Sequence, residues 1–146
     1  MLVRMSRKQL LAACLLAAAA VIGYGVMKTN SAEAASTRVF EMRTYTCNEG
    51  KLDALNARFR DHTIRIFKKH GMTSIGYWVP QDGPQHSNTL VYIIAHASRD
   101  AAKANWDAFR ADPEWQKVQK ESEAGGKLVD HVVSVYMDPT DYSQIK

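Results

Sequence analysis

From residue 39 onward the chain alternates between two-residue and helical spacing of its apolar positions. Val39-Phe40-Glu41-Met42-Arg43-Thr44-Tyr45-Thr46 is rich in β-formers. Its period of two places Phe40, Met42 and Thr44 on one face and Glu41, Arg43 and Tyr45 on the other, which predicts a first strand. Asn48 is then placed to cap a helix with Glu49 in its first turn. Leu52, Leu55, Phe59 and Ile66 recur at helical spacing until His70-Gly71, where glycine ends the helix. Residues 72–79 alternate again and contain Trp78, after which Pro80-Gln81-Asp82-Gly83-Pro84 breaks the chain before the β-branched run 89–96. This predicts a hairpin with a long loop. Ser98 caps a helix carrying Ala102, Trp106 and Phe109, and Asp112-Pro113-Glu114 opens another with a cap, a proline and an acid in order. Gly125-Gly126 stops that helix, and residues 128–137 form the last strand before Asp138-Pro139.

The order β-α-β-β-α(α)-β is the ferredoxin-like plan of the α+β class, an antiparallel sheet with helices on one face. Strands one and three are central in that plan. Residues 90–95, apolar on both faces, fit a central strand. The bare second face of so small a sheet forms a large apolar patch, so a second subunit is expected to cover it and make a homodimer.

Composition changes this picture at the N-terminus. Residues 1–34 read as an export signal, with a basic start through Lys8, an apolar run over residues 10–27 and a small-residue site at Ala32-Glu33-Ala34. Cleavage there leaves a single domain over residues 35–146 in the periplasm or outside the cell. The alternative is an uncleaved anchor in the inner membrane, since about 18 apolar residues are at the short end of a bilayer span. Ser6-Arg7-Lys8-Gln9-Leu10-Leu11 approaches a twin-arginine signal with lysine in the second place, and Leu11-Ala12-Ala13-Cys14 has lipobox-like letters at the wrong end of the run. Residues 35–146 carry 15 bases against 14 acids, which gives no broad electrostatic reason to bind nucleic acid. Cys47 is the one cysteine outside the leader, so no intramolecular disulfide is available there, and its place at a strand end suggests a buried, inert thiol.

The combination Glu41-Met42-Arg43-Thr44-Tyr45, Gly50-Lys51-Leu52, Arg60-Asp61-His62-Thr63, His70-Gly71, Gly76-Tyr77-Trp78 and Asp112-Pro113-Glu114-Trp115 resembles the NIPSNAP family over roughly residues 39–138. The resemblance implies a dimeric α+β barrel, two ferredoxin-like sheets packed face to face. Relatives by fold include cofactor-independent monooxygenases, isomerases and haem proteins, so the fold does not fix the function.

His62 shares the register of Leu52, Leu55, Phe59 and Ile66, and is expected to face the sheet. There it would be an acid, a base or a haem ligand, or a hydrogen-bonded core histidine. Arg43 shares a strand face with Glu41 and Tyr45. It would clamp a carboxylate or phenolate ligand, or pair with Glu41 or with an acid across a dimer interface. Tyr45, Trp78, Tyr92, Trp106 and Trp115, with His96 at the end of strand three, are further pocket candidates, though aromatic residues at such spacing more often form core. Arg99 and Lys103 read as a solvated helix face, and Tyr136 and His131 add little. No metal motif, phosphate loop or nucleophile elbow is present outside the leader, and no cofactor is called for. Two functions follow. One is a homodimeric domain that binds a small apolar or aromatic ligand or acts as a scaffold. The other is a cofactor-independent monooxygenase or isomerase with His62 as acid or base.

Overall fold

A computed structural model describes residues 38–146; the expected leader and its cleavage site lie outside these residues. Strand β1 (Val39–Cys47) is followed by two helical segments, α1 (Leu52–Arg58) and α2 (Ile64–Lys69), joined through a π-helical turn over Phe59–Thr63. Strands β2 (Thr73–Trp78) and β3 (Thr89–His96) flank a loop with a 3-10 turn. Helices α3 (Arg99–Ala111) and α4 (Pro113–Ser122) then lead to β4 (Val129–Met137). The sheet order is β2-β3-β1-β4, every pairing antiparallel, so β1 and β3 are central as the pattern predicts.

The alternation of β1 separates two environments. Glu41, Arg43 and Tyr45 sit opposite Ile94, Tyr92 and Leu90 of β3 and opposite Tyr136, Ser134 and Val132 of β4. This is the face that the helices cover. Between sheet and helices, Leu55, Ile66, Phe67, Met72, Tyr92, Ile94 and Leu128 are almost wholly buried. Phe67 is central, with the rings of Phe59, Tyr92, Trp106 and Phe109 all within 6.0 Å centroid to centroid. The opposite face of the sheet is apolar and open along β4, where Val133 is 51% and Val135 43% exposed. At one end of that face, Pro139, Thr140, Ser143 and Ile145 line a cleft of about 310 Å³ with Phe40, Ile75, Ile93, Met137 and Asp138.

The expected caps at Ser98 and Asp112 are in place. Ser98 Oγ accepts from the Ala101 amide at 3.1 Å, and Asp112 Oδ1 accepts from the Glu114 amide at 2.8 Å, with Pro113 at the first helical position. Lys69 and His70 both reach the other oxygen of Asp112, and these bonds hold its carboxyl well below the usual carboxylate range. Ser98→Ala should lower stability by about 1 kcal/mol, measured by urea unfolding.

Asn48 departs from expectation. The helix starts at Leu52 with Lys51 at the cap position and no side-chain cap. Asn48 Nδ2 instead donates to the Lys127 carbonyl at 2.8 Å, and Lys51 Nζ to the Gly125 carbonyl at 2.9 Å, so these side chains fasten the helix entrance to the 125–127 loop. Gly50, at φ 68°, makes the left-handed turn between them. Cys47 is buried and burial pushes its thiol pKa up despite the nearby Arg58 charge, as suits an inert thiol.

Candidate functional site

The helices pack over β2 and β3 and reach β1 through Phe59 and Trp106, which leaves the helix-side face of the edge strand β4 largely uncovered. A cleft of about 470 Å³ opens there. Its floor is Glu41 and Arg43 of β1 with Ser134 and Tyr136 of β4, and its wall is Arg99, Asp100, Lys103, Trp106 and Arg110 of α3.

Glu41 organises the floor. Only 1% exposed, its carboxylate accepts four hydrogen bonds. Arg43 Nη1 (2.8 Å) and Ser134 Oγ (2.6 Å) donate to Oε1, and Trp106 Nε1 (2.6 Å) and His96 Nε2 (3.1 Å) to Oε2. The buried His96 ring is assigned with its proton on Nε2, because its Nδ1 faces the Asn105 amide nitrogen at 3.3 Å. That amide also donates to the Gly71 carbonyl, which fixes its orientation. Burial alone would raise the Glu41 pKa, but the bonds from His96, Ser134 and Trp106 and the charge of Arg43 outweigh it and lower the pKa to about 2. Glu41 is therefore a fixed anion and a poor proton acceptor.

Arg43, on the helix-covered face, lies 4.3 Å from the Trp106 ring centroid and 5.5 Å from that of Tyr45. Across the cleft, the Arg99 guanidinium carbon lies over the Tyr136 ring, 3.2 Å from its centroid. Burial, reinforced by the Glu41 charge, raises the Tyr136 hydroxyl pKa in spite of Arg99, so the phenol stays neutral near pH 7.

The sequence-derived candidates divide. Arg43 and Trp106 line the cleft, and His96 supports it from the core without lining it. Tyr45 and Tyr92 are core: their rings meet edge to face at 5.2 Å and the Tyr92 hydroxyl donates to that of Tyr45 at 3.0 Å. Trp115 packs at 4.4 Å against Phe109. Trp78 is corrected: its neighbour Tyr77, opposite Tyr92, takes the helix-covered face, which turns Trp78 to the open face, 51% exposed. His62 is also corrected. The π-helical turn adds a residue to the helical repeat, so Thr63 takes the inward position after Phe59 and donates from Oγ1 to the Arg58 carbonyl at 3.2 Å. His62 is rotated out to solvent, into a different depression with Arg58, Asp61 and Val118.

The sequence pattern does not identify Ser134, Tyr136, Arg99, Asp100, Lys103 or Arg110 as cleft residues. The spacing of Arg99, Lys103, Trp106 and Arg110 at i, i+4, i+7 and i+11 was the available signal for the wall. Ser134 stands 93 residues from Glu41 and had none. Among the described residues, no group of three or more His, Cys, Asp or Glu side chains is arranged to hold a metal ion, and no helix is long and apolar enough to cross a membrane.

The NIPSNAP family profile matches residues 40–144, which takes in the sheet from the second residue of β1 onward and every cleft residue. This chain belongs to the NIPSNAP family. Among solved structures, a NIPSNAP family protein with unknown function from Agrobacterium tumefaciens is 26% identical, with TM-score 0.66 over 76% of this chain and 96% of its own. An uncharacterized NIPSNAP-like domain protein from Burkholderia xenovorans is 19% identical, with TM-score 0.65 over 74% and 90%. The cofactor-independent oxygenase SnoaB from Streptomyces nogalater shares the fold at 13% identity and TM-score 0.50, over 74% of this chain and 98% of its own. No curated protein matches this NIPSNAP chain.

Proposed function

We propose that this NIPSNAP protein is an exported homodimer that binds a small molecule in the cleft between α3 and β4. The observation that carries the reading is the cleft itself, a concavity of about 470 Å³ with two aromatic side chains and converging polar groups held in place from beneath. The state of Glu41 favours binding over proton transfer, because its oxygens already accept four protein donors. The open face, with Trp78, Val133 and Val135 exposed, supports a second copy as its cover.

A cofactor-independent oxygenase or isomerase is the second reading, favoured by the fold shared with the Streptomyces oxygenase. His62 does not serve it, since that side chain lies outside the cleft. Turnover of a phenolic substrate by the purified protein, lost on substitution of cleft residues that keep their fold, would establish this reading over the first.

Native mass spectrometry of the protein, expressed with its leader and purified from the exported fraction, tests the first reading. The expected result is a dimer of chains beginning at Ala35 that carries additional ligand mass. A monomer overturns the homodimer, and a chain retaining residues 1–34 overturns cleavage. Val135→Asp places a carboxylate in the middle of the proposed interface, and dilution should then yield monomer at concentrations where the parent remains dimeric.

A further inference from the structure

Within the cleft, charge and unmet hydrogen-bonding capacity are unevenly distributed. Arg43, Arg99, Lys103 and Arg110 supply four cations, against Glu41 and Asp100 in the lining. Asp107 stands behind the wall and binds Lys103 at 2.8 Å and Arg110 at 2.6 Å. These seven groups leave one positive charge in excess. Glu41 is paired to Arg43 through a single nitrogen, Nη1. Among the described residues, Arg43 Nη2 has no hydrogen-bond partner, Nε is buried without one, and Arg99 has no carboxylate partner.

We infer that the cleft selects a monocarboxylate, held between the guanidinium groups of Arg43 and Arg99. The inference rests on the cleft being the ligand site and adds the class of ligand. Guanidinium groups present paired donors that match the two oxygens of a carboxylate. Both are preoriented, Arg43 by Glu41 and the Trp106 ring, Arg99 by the Tyr136 ring. One carboxylate brings the local charge to zero, whereas a dianionic phosphate overshoots it. A neutral ligand offers these guanidinium donors only uncharged acceptors, which bind them more weakly than a carboxylate does. Arg99 is a specificity-determining residue on this reading, since among the described residues its guanidinium lines the cleft without a carboxylate bonded to it.

The test is titration calorimetry of the full chain with 4-hydroxybenzoate, its methyl ester and inorganic phosphate. The binding site is followed through the Trp106 indole N–H resonance, which reports on the bond to Glu41. The acid should bind about tenfold more tightly than the ester at low salt, with the advantage shrinking as salt rises. Arg99→Gln should abolish that advantage. Lys120→Gln, an exposed change on α4, should not alter it. Equal affinity for acid and ester, competition by phosphate at comparable concentration, or an acid preference that survives Arg99→Gln overturns the carboxylate inference. If the ester still shifts the Trp106 resonance, the cleft stands as the binding site. Failure of both probes to shift it overturns the inference and the binding reading together.

Discussion

Glu41→Gln is expected to lower the stability of this NIPSNAP protein by about 3 kcal/mol at neutral pH. The loss follows from the carboxyl pKa, about 2 in the folded protein against an ordinary value of 4.5. The network around the group explains the size of the effect. Four donors converge on two oxygens, and an amide supplies one oxygen and a donor group that faces donors. Arg43 would also keep its charge in a mostly enclosed place with nothing opposing it. The same linkage fixes a pH dependence. A depressed carboxylate pKa stabilises the fold fully above the unfolded value and loses that contribution as pH falls from about 4.5 toward 2. Urea titrations across this range should show the parent losing about 3 kcal/mol more than the glutamine variant, so that the two converge in acid. Parallel curves would show that Glu41 titrates normally and that the network is misassigned.

Phe67→Ala should be comparably damaging, at about 3–5 kcal/mol. The ring is buried and touches four others, Phe59 of the π-helical turn, Tyr92 of β3, and Trp106 and Phe109 of α3. No neighbour can fill its volume without leaving its own site, so the cavity persists and the full cost is felt. Trp106 loses the ring that fixes its inner edge. The variant should therefore weaken ligand binding in the cleft as well as lower the unfolding midpoint. A midpoint shift equivalent to less than about 1 kcal/mol would mean that the core closes around the gap.

The fold was legible because its elements are written locally. The alternation of β1, the doubly apolar β3, and the caps at Ser98 and Asp112 each depend on residues within one turn or one strand. The site was legible only where it coincides with such an element. Arg43 and Trp106 were recognised, but the strand pattern leaves open which face the helices cover. That choice depends on where the helices pack, and not on β1 itself. His62 was misplaced because a period of 3.6 residues was carried through a segment that winds more widely, and no side chain between Phe59 and Thr63 announces the change. Tyr136 and Ser134 join the site by pairing across the sheet to a strand at the far end of the sequence, a relation that no local pattern contains. Asn48 has the residue type of a cap, but tertiary contact with the 125–127 loop claims its side chain.

The two-sidedness of β1 also bears on how the chain reaches this state. A slip of one residue against β3 or β4 would carry Glu41 and Arg43 to the open apolar face and turn Phe40 and Met42 toward His96, Asn105 and Trp106. Such a mispaired sheet keeps its backbone ladder but strands an ionised carboxylate among valines and leaves an indole and an imidazole with nothing to bind. Both neighbours of β1 read the same alternation, so an error on one side conflicts with the other. The polar cluster beneath the cleft thereby acts as a proofreading mark for strand registration, and its completion reports that both central pairings have closed correctly.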